Sequence, residues 1–403
     1  MSYPSVYTKK YFQDILTSYF KSNSILVNDL NIRPCNSQAE GFLSILHRIT
    51  INYQIKDESK SINIVAKSDC DNKFTLEKIG PNGYDIQNKE IKFFSHIAPE
   101  MEKIFGNGTI LNVIYIDKVN KILLFKDLKD ENFQMANRMI GLDENHMKLT
   151  LSKLAKFHAA SLKMLAKNPQ VFDEFDMGLF NRKVDAFNEG TLMLFIAAGD
   201  EVATWEGYEV YAEKMKNLRK HFIENATRCF DVKENELNVL NHGDVWTANL
   251  MFKYDKEGNV TDAVIFDFQF CNYGSIALDL NHFFFTSLND DLYNHEDIER
   301  LVQFYYYELK KILSDFDYDL TGFPSLHQFI IEFQKKLFFG FIYASCIISF
   351  MTSDDPDNDF ETIHSKNEKS NKQRRKIMKN ERFAKIFKKM LPFFDQMGIL
   401  DEI

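Results

Sequence analysis

Three side chains in the second half of the chain have types and spacing suited to phosphoryl transfer. His242-Gly243-Asp244 is followed, five residues after the Asp, by Asn249. The apolar run Val264-Ile265-Phe266 then ends on Asp267. In kinase-type phosphotransferases a loop carboxylate orients the attacking hydroxyl and accepts its proton, and an amide and a second carboxylate hold Mg²⁺ against the phosphates. Asp244 is the candidate base. Asn249 and Asp267 offer the hard oxygen donors that magnesium takes, and they are the candidate metal ligands. A similar triplet, His295-Glu296-Asp297, has Val302 five residues on and no apolar strand behind it, so it lacks the rest of the pattern.

Phosphoryl transfer asks mainly for positioning and charge stabilisation, which calls for cations as well as carboxylates. Ile64-Val65-Ala66-Lys67 is an apolar strand ending in a lysine that could grip the α and β phosphates. Glu90 has Ile86 and Phe94 at i−4 and i+4, so it faces inward on its helix and needs a charged partner there. Lys67 is the expected partner, with Glu77 as the competing glutamate. The stretch Gln38 to Ser44 stands where a phosphate-covering loop belongs, although Gly41 is its one glycine. Ser44 is the residue expected to assist there, with Ser37 as the other choice. The strand Ile122 to Leu128 is the expected hinge, with backbone groups of Lys126 and Leu128 meeting adenine. His242 is expected to hold the catalytic loop by hydrogen bonds, and Asp279 to anchor it from a helix start.

The elements that must carry these residues follow from periodicity. Residues 5 to 30 read as a helix with Tyr11, Ile15, Leu16 and Phe20 at helical spacing. Gly41 to Tyr53 and Ser61 to Lys67 read as strands joined by a polar turn, Lys56 to Lys60. A helix at Tyr84 to His96, expected to stop at Pro99, precedes strands Ile110 to Ile116 and Lys121 to Phe125. From about Asp130 the pattern is helical, beginning with a helix capped by Asp143 and running to about Leu165. Helices are expected at roughly 181–199, 204–228, 277–289, 294–315, 324–352 and 374–396. The one interruption is a hairpin, Leu250 to Tyr254 and Val260 to Phe266. The polar stretch Asp354 through Lys372 is expected to be disordered. This is an α+β, bilobal layout, with residues 1–128 as a nucleotide-binding lobe and 129–403 as a helical lobe holding the catalytic loop and the substrate pocket.

The composition excludes several classes. A net charge of −9 over 403 residues disfavours nucleic-acid binding, which needs a basic surface. Five scattered cysteines without a Cys-x-x-Cys pair argue against a disulfide framework or structural zinc, and a reducing, cytoplasmic setting is expected. The most apolar run, Leu337 to Met351, is too short for a membrane span and suits a buried helix. A monomer is expected.

Longer phrases carry a resemblance. Lys89-Glu90-Ile91-Lys92-Phe93-Phe94, Phe125-Lys126-Asp127-Leu128, Leu154-Ala155-Lys156-Phe157-His158 and Asn241-His242-Gly243-Asp244-Val245-Trp246 resemble the ecdysteroid kinase-like (CHK kinase-like) family of arthropods. So do Phe266-Asp267-Phe268-Gln269 and Ala277-Leu278-Asp279-Leu280. The similarity spans about 35 to 315. It implies a protein-kinase-like fold related to choline kinases and aminoglycoside phosphotransferases, using ATP and Mg²⁺ on a small hydroxylated substrate. Ecdysteroids or other steroid-like or xenobiotic compounds are the implied acceptors. The chain departs from the family pattern at Lys126, where an acidic residue is usual, and at Asn241, where a small residue is common. A protein kinase is disfavoured. Gly243 stands where those enzymes have Arg, Gln269 replaces the Gly of Asp-Phe-Gly, and too few residues follow Asp267 for an activation segment. A choline- or aminoglycoside-type kinase and a non-catalytic ATP-binding module are the competing readings.

Overall fold

The computed structural model describes residues 3–35, 43–70, 72–80, 83–106, 108–355 and 357–401. The chain opens with α1 (Lys9–Phe20), capped by the Thr8 hydroxyl, which accepts from the Tyr11 N–H at 3.1 Å. The expected helix to residue 30 ends early, with Lys21 in the left-handed region. Residues Ile25–Pro34 form β1 instead. Buried Ile25 and Val27 flank exposed Leu26 there, which is a period of two and belongs to a strand. A hairpin follows, β2 (Ser44–Ile55) and β3 (Glu58–Asp69). Lys56 and Asp57, both at positive φ, make its two-residue turn, tighter than the five-residue link expected.

Next come α2 (Lys73–Ile79), α3 (Ile86–Lys92), a π-helical turn at Phe93–Ile97 and α4 (Ala98–Phe105). Helix does not stop at Pro99. That residue lies in the first turn of α4, where a missing N–H leaves no hydrogen bond unmade. Then β4 (Val113–Asp117) and β5 (Ile122–Lys126) complete a five-stranded antiparallel sheet of order β1-β2-β3-β5-β4. Ile110, expected in β4, bridges to Ile265 instead.

The remainder is mostly helical: β6 (Gln134–Met135), α5 (Glu144–Lys167), α6 (Asn188–Val202), α7 (Glu209–Leu218) and α8 (Phe222–Cys229). Asp143 caps α5 as expected, accepting from the N–H groups of Asn145 and His146 at 3.0 Å. The stretch from His242 to Asp267 is framed by β7 (Asn238–Asn241), β8 (Leu250–Tyr254), β9 (Val260–Ile265) and β10 (Asn272–Ser275). The chain closes with α9 (Ala277–Ser287), α10 (His295–Asp315), α11 (Leu326–Lys335), α12 (Leu337–Ile342), a second π turn at Tyr343–Ile347, and α13 (Ile348–Met351). Last come α14 (Phe360–His364), α15 (Glu368–Ile377) and α16 (Glu381–Gln396). The stretches read as single helices over 204–228 and 324–352 are each broken.

The expectation of disorder over Asp354 through Lys372 is overturned in the described residues. Asp359 and Asn367 cap α14 and α15, and Phe360 and Ile363 are buried. Arg374, itself buried, donates to the carbonyls of Ile363 and Ser365. The charges that suggested a solvated loop mostly form ion pairs, among them Asp354 with Arg138, Asp355 with Lys376 and Lys366 with Glu189.

Two apolar cores result. The smaller joins α1 to one face of the sheet through Phe12, Leu16, Ile49, Ile51, Ile64 and Leu124. The larger begins on the other face with Leu123 and Phe125 and runs through α3, α4 and α5 into the helical part. Among the described residues no helix is long and apolar enough to cross a membrane.

Candidate active site

The larger core is continuous where the sheet meets the helical part, and the chemically active side chains converge there. Lys67 ends the apolar part of β3 with its Nζ buried, 2.6 Å from Glu90 Oε2 and 2.7 Å from Asp267 Oδ1. Glu90 is 1% exposed, so it reaches Lys67 from inside the core, while the competitor Glu77 is exposed. Its other oxygen, Oε1, accepts the Phe268 N–H at 3.2 Å. A helix, a strand and the segment after β9 are thus joined by one glutamate. Phe93 stacks on Phe268 with centroids 4.0 Å apart, which fixes the same junction by packing. Burial acts against the Lys67 charge, but the carboxylates of Asp267 and Glu90 outweigh it and push the ammonium up to about 12. Burial, with the Asp267 charge added, pushes Glu90 upward against the pull of Lys67.

Asp267 leaves β9 with φ at +70°, a left-handed conformation in a residue that bears a side chain. That turn aims its carboxylate back at Lys67. The pairing of β8 with β9 sets Leu250 opposite Ile265, and the Phe266 N–H donates to the Asn249 carbonyl at 3.1 Å. Asn249 and Asp267 therefore stand side by side, as the hairpin spacing predicts.

Asn249 Nδ2 donates to the Asp244 carbonyl and to Asp244 Oδ2, both at 2.8 Å. Burial and then the nearby Asp267 charge raise the Asp244 carboxyl well above the usual carboxylate range. Among the described residues Lys67 is the one cation paired with Glu90 and Asp267, and Asp244 stands beside them, so carboxylates outnumber cations in the cluster. Magnesium would offset that excess and needs only one or two protein oxygens when phosphates supply the rest. The donor set of Asn249 and Asp267 fits it. Among the described residues no group of three or more His, Cys, Asp or Glu side chains is arranged to hold a metal by itself.

The loop is anchored from below. Asp279, fully buried on α9, accepts the N–H of Gly243 at 2.8 Å and of His242 at 2.7 Å. It also meets His158 Nε2 at 3.0 Å, and His158 Nδ1 meets the Tyr305 hydroxyl at 2.6 Å. Burial would raise the Asp279 carboxyl, but the hydrogen bond and charge of His158 lead a set of contacts that hold it below its ordinary value. His242 donates from Nε2 to the Phe266 carbonyl at 2.9 Å, and its Nδ1 accepts the Asp244 N–H at 3.1 Å. Carbonyls only accept, so this pattern fixes the neutral Nε2–H tautomer. Gly243 adopts φ +82°, and a Cβ there would stand 2.1 Å from the Phe270 carbonyl oxygen. Buried Asn241 donates to the carbonyls of Asn272 and Gly274 across the β7–β10 pair.

The nucleotide-side expectations fare unevenly. Gln38 to Phe42, with Ser37, lie outside the described residues. Ser44 opens β2, and its buried hydroxyl has no partner among the described residues. Lys126 ends β5, with its ammonium turned outward to Glu131. Leu128 opens a 3₁₀ turn, and its carbonyl is taken by the Phe133 N–H at 3.1 Å. Asp127 between them pairs with Arg48 of β2, a link that the sequence did not suggest.

A cavity opens beside Asp244. Its walls are apolar and aromatic, with Phe180, Phe187, Trp246, Phe270, Tyr343 and Phe360 among them. Among the described residues that line it, Asp244 alone carries a carboxylate. The contributing segments, around 179–194, 244–246, 270 and 343–364, are far apart in sequence. His158, Tyr305 and His282 were also missed. His282 gave one usable signal, since it follows Asp279 by three residues and so shares its helix face.

The sequence model of the ecdysteroid kinase-like family matches residues 38–318 of the chain. No curated protein sequence matches it. Among solved structures, it is similar to an ethanolamine kinase of Plasmodium vivax at 16% identity, covering 96% of this chain and 89% of that one with a TM-score of 0.45. A choline/ethanolamine kinase family protein from Mesorhizobium loti is similar at 11% identity, over 87% and 88% of the two chains, with a TM-score of 0.33. An amicoumacin kinase in complex with AMP-PNP, Ca²⁺ and its ligand is similar at 10% identity, over 87% and 89%, with a TM-score of 0.35.

Proposed function

The chain belongs to the ecdysteroid kinase-like family, and we propose from that premise that it transfers the γ-phosphoryl group of ATP to a hydroxyl of a small molecule. The observation that carries this reading is the chain of contacts from Glu90 through Lys67 to Asp267, ending beside Asn249 and Asp244. In this reading Asp244 orients the acceptor hydroxyl and takes its proton. Lys67, held by Glu90, steadies the ATP phosphates. Asn249 and Asp267 hold Mg²⁺, which offsets charge on the phosphates when bound. Ser44 and the backbone of Lys126 and Leu128 border the nucleotide. Residues 1–128 act as the nucleotide lobe and 129–403 as the catalytic and acceptor lobe of a cytoplasmic monomer.

The apolar wall of the cavity favours an uncharged, ring-bearing alcohol such as an ecdysteroid or another steroid-like or xenobiotic compound. The same aromatic rings would also suit a quaternary ammonium group, which supports a choline-type acceptor as the second reading. An aminoglycoside, with several ammonium groups, would meet a single carboxylate. A screen of hydroxylated steroids, choline and aminoglycosides for the mass gain of one phosphate separates these readings. Asp244→Ala is expected to abolish magnesium-dependent phosphorylation while ATP still binds. Phosphorylation retained in that variant sinks the role given to Asp244, and ATP binding with no acceptor phosphorylated favours a binding module.

A further inference from the structure

One buried histidine beside the site completes no hydrogen bond among the described residues. His282 is wholly shielded from solvent on α9. Its ring stacks on Tyr343, with centroids 4.2 Å and planes 16° apart. Nε2 lies 3.6 Å from Asp244 Oδ1, and the Gly243 backbone is a second polar neighbour of the ring, in a contact that falls short of hydrogen-bond geometry. Neither ring nitrogen completes a hydrogen bond among the described residues. An unpaired buried polar atom costs roughly 1–3 kcal/mol, so an imidazole is an expensive choice for mere filling. Asp244 has the complementary gap. Asn249 occupies its Oδ2, while its Oδ1 accepts no hydrogen bond among the described residues.

We propose that His282 is a positioning residue for Asp244, donating from Nε2–H to Oδ1 and so fixing the carboxylate at both oxygens. The second lone pair of Oδ1 is then left for the proton of the acceptor hydroxyl. Closing the gap from 3.6 Å to the roughly 2.9 Å of a hydrogen bond needs only a small movement of the loop. Tyr343 provides the stimulus, because one of its faces packs on His282 and its side chain also lines the cavity. An acceptor that fills the cavity presses on the stack that aims the base. Burial, which holds the imidazole down to about 3, keeps the ring neutral, with one N–H to give. The proposal rests on reading Asp244 as the base.

The test uses the full chain labelled with ¹⁵N-histidine at pH 7, with the His282 signals identified by their loss in His282→Phe. The expected result is an Nε2–H tautomer whose proton shift moves in Asp244→Asn. An Nδ1–H tautomer, or no response to Asp244→Asn, overturns the proposal. Neither reading needs an acceptor, so the outcome stands apart from whether the chain is a kinase. With MgATP and water as acceptor, His282→Phe keeps the stack but is expected to lower kcat about tenfold or more with little change in KM for ATP. His282→Gln, which restores an N–H, is expected to recover part of that loss. A folded His282→Phe with wild-type kcat, or a Gln variant no better than Phe, overturns the proposal too.

Discussion

At the scale of single residues, Glu90 shows how much one carboxylate can organise. It balances a buried ammonium through one oxygen and satisfies the Phe268 N–H through the other. Glu90→Ala is expected to destabilise the fold by about 2 kcal/mol or more, since it removes half of a buried pair and strands a donor. Lys67 would then rest on Asp267 alone, so ATP turnover should fall as well. Denaturant midpoints and turnover measured on one preparation check both. The inward position of Glu90 was legible because two apolar neighbours at i±4 define a helix face. The convergence of Asp244, Asn249 and Asp267 was legible because their spacing is local. His158 and Tyr305 support Asp279 from helices whose packing no local pattern encodes. Phe180 and Phe360 reach the cavity in the same unreadable way.

At the scale of elements, the loop from His242 to Asn249 depends on a backbone shape. Gly243 permits a positive φ and a close pass of the Phe270 carbonyl. Gly243→Ala is expected to cost more than 1 kcal/mol from the left-handed strain, with the clash added, and to move Asp244 off its line. A lowered melting temperature with a disproportionate loss of kcat is the outcome to look for, and an unchanged kcat would contradict it. Element boundaries were read less well than element types. β1 was taken for helix because its alternation is brief and follows a strong helical face. The stop assigned to Pro99 failed because proline is also at home in a first turn. The disorder assigned to 354–372 failed because Phe360 and Ile363 bury there and its charges pair with Arg138, Lys376 and Glu189 rather than with solvent alone.

At the scale of the whole molecule, buried groups couple stability to pH. The folded pKa of His282 is about 3, depressed from an ordinary 6.5. As pH falls below 6.5 the unfolded chain takes up a proton that the fold refuses, so stability is lost on acidification. Between pH 7 and pH 5 this one group accounts for about 2 kcal/mol. Glu90 and Asp244, pushed upward by burial, act with the opposite sign, so the comparison that isolates the histidine is wild type against His282→Phe. From pH 7 to pH 5 the unfolding free energy of wild type should fall by about that amount relative to His282→Phe, and parallel slopes would refute the assignment. The α+β, two-part layout was visible in the sequence because strand-like alternation gives way to helical periodicity near residue 130. The division of the interior into two cores was not, because it depends on which face of the sheet each strand residue takes.

That division has a practical meaning for how such a chain can be altered. Although on the sheet side of the smaller core Ala66 adjoins Lys67 and Ile64 pairs with Lys126, its α1 side, with Phe12, Leu16 and Val27, contributes none of the groups proposed to handle phosphate, metal or acceptor. It is a region where the working temperature of the molecule can be tuned, in the laboratory or by descent, while the kinetic constants stay as they are.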